Sequence, residues 1–341
     1  MAIRIAINGV GRIGRCILRA LHERRESEIE TVAINDLTSP EVLAHLLAHD
    51  SVHGRFGARD EVRTVPGGIV VAGREIRVTA VSDPAALPWR SLEVDVVLEC
   101  TGALTSREKA GAHLAAGARK VIVGAPATGQ DLTVVMGVNH GRYDPARHHL
   151  LSNASCTTNC LAPVAKVISE AFGIRHAFMT TIHSYTNDQV VLDMPHRKGD
   201  LRRGRAAALN MVPVSSGANR AISEVLPHLE GKFDGQAVRV PTMDVSLLDL
   251  AVETESEVTA ASIHAAMSGA AEGGDLRGIL YCSDEELVSS DYIGHPGSAI
   301  VDTTLTRVLG SRFAKVFAWY DNEWGFANRM IELARLVGRR E

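Results

Sequence analysis

The sequence has little of what marks several protein classes. Its five cysteines (Cys16, Cys100, Cys156, Cys160, Cys282) are odd in number and scattered over 341 residues. That is a poor disulfide framework and fits a reducing, cytoplasmic setting. No apolar run approaches the roughly 18 residues of a membrane span, and the Met1–Asn8 stretch is too short and lacks the charged leader of a secretory signal. Neither charge dominates: 36 Lys+Arg against 40 Asp+Glu leave a net charge of −4. A blanket attraction for nucleic acid or anionic lipid, which needs clustered basic residues, is therefore not expected. No internal repeat, low-complexity linker or zinc-like ligand spacing is present, so no metal is expected. What remains is a soluble α/β chain long enough for two domains, each with its own core.

The first 155 residues alternate strand-like and helix-like patterns. Ile3–Asn8 reads as an apolar strand, with Ile13, Ile17, Leu18 and Leu21 following at helical spacing. Thr31–Asn35 reads as a second strand, then a helix from Pro40 to His49 with Ser39 as its N-cap. Short β-branched runs between Arg55 and Val81, broken by Pro66-Gly67-Gly68 and Gly73, predict a hairpin excursion. Strands resume at Val94–Cys100 and Val121–Gly124, with a helix over Ser106–Ala116 between them. Fully apolar strands alternating with helices imply a doubly wound parallel sheet covered on both faces. From Cys156 the pattern changes. A helix to about Phe172 leads into a strand over Ala177–His183 and an irregular basic stretch from Ser184 to Arg205. Strands over Gln236–Val240, Val245–Glu253, Ala299–Asp302 and Lys315–Trp319 then predict an α+β domain over 156–319 with a large mixed sheet. The closing segment, 320–341, carries an amphipathic helix (Met330, Leu333, Ala334, Val337) expected to pack back on domain 1–155.

Two places carry chemistry. Gly9-Val10-Gly11-Arg12-Ile13-Gly14 follows a strand and opens a helix. In such a motif the first glycine makes the turn, the second admits a pyrophosphate and the third allows close helix–strand packing, while the helix N-terminus offers N–H groups to the phosphate. Asp36 stands about 20 residues beyond the third glycine, after the second strand, where a carboxylate accepts from ribose hydroxyls. The same charge repels a 2′-phosphate and so favours NAD over NADP. The second place is Ser155-Cys156-Thr157-Thr158-Asn159-Cys160 at a helix start, where the helix dipole favours thiolate, the form that attacks carbonyl carbon. Cys160, one turn on, is read with Cys16, Cys100 and Cys282 as small buried filler. Among 14 histidines, His183, at the end of the strand that the cysteine's helix feeds, is the candidate base.

These motifs, with Leu201-Arg202-Arg203-Gly204-Arg205-Ala206-Ala207 and Trp319-Tyr320-Asp321-Asn322-Glu323-Trp324-Gly325, resemble those of the phosphorylating glyceraldehyde-3-phosphate dehydrogenases. The resemblance spans essentially the whole chain and implies the following roles. Cys156 is the nucleophile and His183 the base. Arg12 and Ile13 contact NAD from the glycine turn, Asp36 its ribose and Asn322 its carboxamide. Thr186 and Arg239 hold the substrate's phosphate, while Ser155, Thr157, Arg205, Ser216 and Gly217 hold inorganic phosphate. It further implies a homotetramer in which the 184–205 loop reaches toward a neighbour's cofactor, and Leu37 and Pro195 resemble NAD-preferring members.

The chain departs from the family pattern at four places. Ser216 replaces the family's usual threonine, and the segment after Pro195 runs about two residues long. Gly124 stands where many members carry Ser or Thr near the cofactor, and Ser82 where many carry Arg near the adenine. Two alternatives follow. An erythrose-4-phosphate dehydrogenase is disfavoured because Thr186 and Ser216-Gly217 are present. A non-catalytic NAD-binding redox sensor has no use for two anion sites.

Overall fold

A computed structural model describes residues 2–58 and 61–339. The chain divides into two compact units. The first comprises the described residues of Met1–Val134, His140–Ser155 and Phe326–Glu341, and the second Val135–Asn139 and Cys156–Gly325.

The first unit is a nine-stranded sheet. In order across the sheet its strands are Leu132–Thr133, Leu150–Ser152, Lys120–Val123, Val96–Glu99, Ile3–Asn8, Ile29–Asn35, Arg74–Thr79, Gly68–Val71 and Val62–Val65. All pair in parallel through Arg74–Thr79, and the last two join antiparallel. Central strands buried on both faces need apolar side chains at every position. Val96–Glu99 and Lys120–Val123 are accordingly buried throughout, with Lys120 sending its ammonium to the Pro145 and His148 carbonyls.

The segment expected to be a hairpin excursion is instead an antiparallel meander that extends the main sheet, because its third strand pairs in parallel with Ile29–Asn35. The single helix expected over Ser106–Ala116 is two short ones, Arg107–Ala110 and Ala112–Ala115, separated by Gly111. Ser106 caps the first by accepting from the Lys109 N–H at 3.4 Å. Pro40 occupies the first turn of the Pro40–Ala48 helix, where its missing N–H costs nothing. The helix Trp324–Gly338 lies within the first unit from Phe326 on. There Gly338 abuts Ile3, Arg335 pairs with Glu26 and Arg24 pairs with Glu332.

The second unit is a seven-stranded mixed sheet. Its order is Val212–Ser215, Phe233–Val240, Ile174–Ser184, Ser246–Thr254, Phe313–Tyr320, Ala299–Leu309 and Leu280–Ser283. The second and third of these pair in parallel, as do the last two, and the rest are antiparallel. The short edge strands at Val212 and Leu280 escape sequence reading because four residues carry too little periodicity. The strand expected at Ala299–Asp302 continues to Leu309 past a register shift after Asp302.

The helices Cys156–Phe172 and Ala260–Glu272 pack together, and the first of them lies against the central strands. Thr259 and Ser262 form a reciprocal capping box at the start of the second helix. Strand alternation turns Ile174, Ala177, Met179 and Thr181 inward and leaves Phe178 68% exposed. Phe313 and Leu309, directly paired across their strands, are exposed as well.

Candidate active site

In the first unit, the glycine turn behaves as each glycine's place demands. Gly9 has φ +89°, and a Cβ there would sit 2.8 Å from the Thr101 backbone nitrogen. A Cβ on Gly14 would strike the Gly9 carbonyl oxygen, so this residue sets how closely helix and strand pack. Around Gly11 nothing lies within 4 Å of a Cβ, so the backbone is open to an approaching ligand. Beside the turn is a cavity of about 440 Å³ whose lining includes Gly9, Gly11, Asn35, Asp36, Ser82 and Thr101. Asp36 is held in place there by accepting from the Val10 N–H at 2.8 Å and the Thr38 N–H at 2.9 Å. Each oxygen keeps a lone pair for a further donor.

Arg12 and Ile13 open the helix with Gly14. The Arg12 guanidinium pairs with Asp50. Burial works against that carboxyl's charge, but the His53 and Val52 N–H groups and Arg12 hold it down, at about 2. What Arg12 and Ile13 therefore offer a phosphate is the backbone of the helix start. Gly124 is not among the cavity's lining residues. Its N–H continues the ladder to the Glu99 carbonyl at 2.8 Å, and its Cα faces Met330.

In the second unit, Cys156 begins the helix Cys156–Phe172, and its Sγ lies 3.5 Å from His183 Nε2. The strand register explains the third partner. His183 pairs directly with Arg239 on the parallel neighbour, which sets an imidazole and a guanidinium side by side. His183 Nδ1 donates to the Ser184 carbonyl at 2.7 Å. Nδ1 also lies 3.1 Å from Arg239 Nη1, whose two hydrogens go to that carbonyl and to Thr186, so the shorter contact to the carbonyl assigns the proton to Nδ1 and turns the bare Nε2 toward sulfur. Arg239 Nη1 donates to the same carbonyl at 3.1 Å and to Thr186 Oγ1 at 3.3 Å, while its buried Nε has no partner among the described residues.

Burial governs the electrostatics here. It pushes the Cys156 thiol up, against the pull of Arg239 and of hydrogen bonds from Thr157. Burial and the neighbouring guanidinium push His183 down to about 3. The helix start alone therefore does not make the thiolate expected from sequence. Neither group takes a charge by itself, but one proton passed from Sγ to Nε2 creates two opposite charges 3.5 Å apart that stabilise each other.

Residues that sequence reading missed complete this arrangement. Tyr320, fully buried and with its phenol pushed up by burial, sets its hydroxyl 3.0 Å from Thr157 Oγ1 and 2.6 Å from Thr181 Oγ1. The Thr157 hydroxyl is therefore engaged in the interior. Ser184 and Ser246 hydroxyls both donate to Asn322 Oδ1 at 2.8 Å. That fixes the amide and leaves Nδ2 as its donor side. Tyr320 stands inside a quoted motif, whereas Ser184 and Ser246 carry no sequence signal, because only the adjacent strand ends bring them to Asn322.

Ser216 and Arg205 find their partners outside this cluster. Ser216 Oγ accepts from the Ala218 N–H at 3.3 Å at the start of the helix Ala218–Val225, with Gly217 at its N-cap. Arg205 is exposed and pairs with Asp193 at 2.7 Å inside the irregular loop. Cys160 and Cys16 are buried filler as expected, while Cys100 and Cys282 are only half-buried. None of the five cysteines forms a disulfide.

Residues 3–107 match the family description "Glyceraldehyde 3-phosphate dehydrogenase, NAD binding domain", and residues 155–322 match "Glyceraldehyde 3-phosphate dehydrogenase, C-terminal domain". The chain is 55% identical to glyceraldehyde-3-phosphate dehydrogenase 1 of Bacillus cereus over 97% of each chain. Against the glyceraldehyde-3-phosphate dehydrogenase of Geobacillus stearothermophilus it is 52% identical, covering 99% of this chain and 98% of that one. The enzyme of Streptomyces coelicolor is 50% identical over 99% of both. With both halves matched and relatives 50–55% identical over nearly the whole chain, the chain belongs to the glyceraldehyde-3-phosphate dehydrogenase family.

Proposed function

We propose that the protein oxidises D-glyceraldehyde 3-phosphate to 1,3-bisphosphoglycerate, consuming inorganic phosphate and reducing NAD. The observation that carries this reading is the 3.5 Å approach of Cys156 Sγ to the bare Nε2 of His183, with Arg239 paired beside it. His183 Nε2 takes the thiol proton as sulfur adds to the aldehyde carbon and returns it to the carbonyl oxygen, giving a thiohemiacetal on Cys156 and a neutral imidazole. The same nitrogen then withdraws the thiohemiacetal hydroxyl proton as the C–H bond breaks. When bound, NAD supplies the hydride acceptor for that step. The thioester left on Cys156 is attacked by phosphate, which releases the acyl phosphate and returns the thiolate.

The polar groups suit these roles. Arg239 and Thr186, already 3.3 Å apart, bind the substrate's phosphate, with the free Nε of Arg239 as one more donor. Ser155, Thr157, Arg205, Ser216 and Gly217 bind inorganic phosphate. NAD fits the first unit because Gly11 is open, the helix start presents its N–H groups, and Asp36 is oriented to accept from ribose hydroxyls. Asn322, its Oδ1 held by Ser184 and Ser246, donates from Nδ2 to the carboxamide. A carboxylate at Asp36 repels a 2′-phosphate. Steady-state kinetics with NAD and NADP, with and without phosphate, on glyceraldehyde 3-phosphate and the corresponding tetrose test this reading. NAD-dependent, phosphate-requiring oxidation of the triose is expected. A preference for NADP, or fast phosphate-independent oxidation of the tetrose, overturns it.

We further infer a cytoplasmic homotetramer. No described helix is long and apolar enough to cross a membrane, and five cysteines without a disulfide suit a reducing compartment. Phe178, Phe313 and Leu309 on the sheet and Val191, Leu192, Leu201 and Leu209 in the loop region are exposed. Apolar surface on that scale calls for a covering partner. Sedimentation at micromolar concentration is expected to give four times the chain mass, and a monomer would contradict the assembly.

A further inference from the structure

Beneath the glycine turn, at the carboxyl ends of four parallel strands, a line of buried polar side chains crosses the first sheet. It starts in the core, where the Trp89 indole N–H donates to His113 Nδ1 at 3.0 Å. The imidazole proton is thereby assigned to Nε2, which donates to Glu99 Oε2 at 3.1 Å. The same oxygen accepts from Asn8 Nδ2 at 2.5 Å, and Asn8 Oδ1 accepts from Asn35 Nδ2 at 2.8 Å. Asn35 closes the line on the cavity wall. Its Oδ1 accepts from the Val81 N–H at 2.9 Å, and its Nδ2 donates to the Val81 carbonyl at 2.9 Å. The second oxygen of Glu99 accepts from the Thr101 N–H at 2.8 Å and from the Thr101 hydroxyl. Thr101 is the residue whose backbone touches Gly9. Asn8, Asn35, Glu99, His113 and Trp89 are each no more than 5% exposed.

We infer that Glu99 is a positioning residue for the dinucleotide, acting through this line on three segments of the cavity wall: Gly9 with Thr101, Asn35–Asp36, and Val81–Ser82. This rests on the NAD reading of the first unit. The inference follows from direction as well as contact. Every group along the line has one orientation, set by the fixed backbone N–H groups of Val81 and Thr101 and by the Trp89 indole N–H. Both Glu99 oxygens accept two hydrogen bonds and neither donates.

Glutamine at 99 fills the same volume and puts an NH₂ where an acceptor is required. Facing Thr101, it meets a backbone N–H that cannot reverse. Facing the other way, it meets the His113 proton, which on moving to Nδ1 meets the Trp89 N–H instead. It also meets Asn8, whose amide can turn only if Asn35 turns too and gives up the Val81 N–H. Each arrangement leaves donor against donor in a buried place, and each releases a segment that lines the cavity. The effect falls on cofactor affinity and spares the sulfur chemistry of the second unit.

The test uses the full-length protein and calorimetric titration with NAD, alongside kinetics and alkylation of Cys156 by iodoacetamide without NAD. Glu99→Gln is expected to raise the NAD dissociation constant and the KM for NAD tenfold or more. The kcat at saturating NAD should stay within twofold of the parent, and the alkylation rate should not change. Thr101→Val, which removes one hydroxyl donor and keeps the volume, should raise the dissociation constant about threefold. It decides the matter if Glu99→Gln does not accumulate as folded protein. Parent-like NAD affinity in both variants overturns the inference. So does a loss confined to kcat and alkylation with KM unchanged, the mark of general destabilisation. Failure of the parent itself to bind NAD would instead remove the dinucleotide reading beneath it.

Discussion

Cys156→Ser is expected to leave at most about one ten-thousandth of the parent rate of NADH formation, a loss of the size seen when a covalent nucleophile is removed. The serine hydroxyl is a far weaker acid than a thiol. A neutral imidazole whose proton affinity is lowered by burial and by Arg239 cannot ionise it appreciably. The variant also changes the chemistry of the second half-reaction. An oxygen ester conserves less of the oxidation energy than a thioester and is displaced more slowly by phosphate. Because the glycine turn and Asp36 lie in the other unit, and Asn322 is held by Ser184 and Ser246 and not by Cys156, NAD titration of the variant should match the parent. Absorbance assays under saturating substrate, with the titration as a control for folding, check both statements. A residual rate above a tenth of the parent rules out Cys156 as the nucleophile.

His183→Asn should lower kcat/KM by about 10² to 10⁴, the usual span for loss of a positioned general base. The more discriminating readout is pH. In the parent, ionisation of the thiol is coupled to protonation of His183, so the imidazolium across 3.5 Å offsets what burial takes away. Without the imidazole only Arg239 and the Thr157 hydrogen bonds oppose burial, and burial raises the thiol. The midpoint of Cys156 alkylation against pH should therefore move to more alkaline values. At neutral pH the reaction with iodoacetamide should slow, and it should recover as the pH rises. An alkylation profile identical to the parent's would show that His183 does not touch the sulfur's proton, whatever the drop in turnover.

Much of this was legible before any coordinates. The glycine turn is a local device. Strand, turn and helix start are contiguous in sequence, and the reason for each glycine (turn, open face, close packing) is repeated by the geometry around Gly9, Gly11 and Gly14. The Ile3–Asn8 strand and the Cys156 helix start also follow from short-range pattern. Less legible were features where composition is ambiguous. The meander around Gly68 carries β pattern but no sign that its last strand joins the main sheet, and Gly111 splits a helix whose apolar spacing is otherwise continuous.

The sequence by itself determined which groups the protein possesses and the short segments that hold them: a glycine turn opening a helix, an acidic residue after the second strand, a cysteine opening a helix. The tertiary structure alone decided their charge states and partners. Parallel register sets His183 against Arg239, convergent strand ends give Asn322 its two serines, and a common strand edge gives Glu99 its four donors. The physical reason is that periodicity records only which side of an element is buried. Desolvation and hydrogen-bond direction depend on residues tens to hundreds of positions apart, and so arise only when the chain has closed around them.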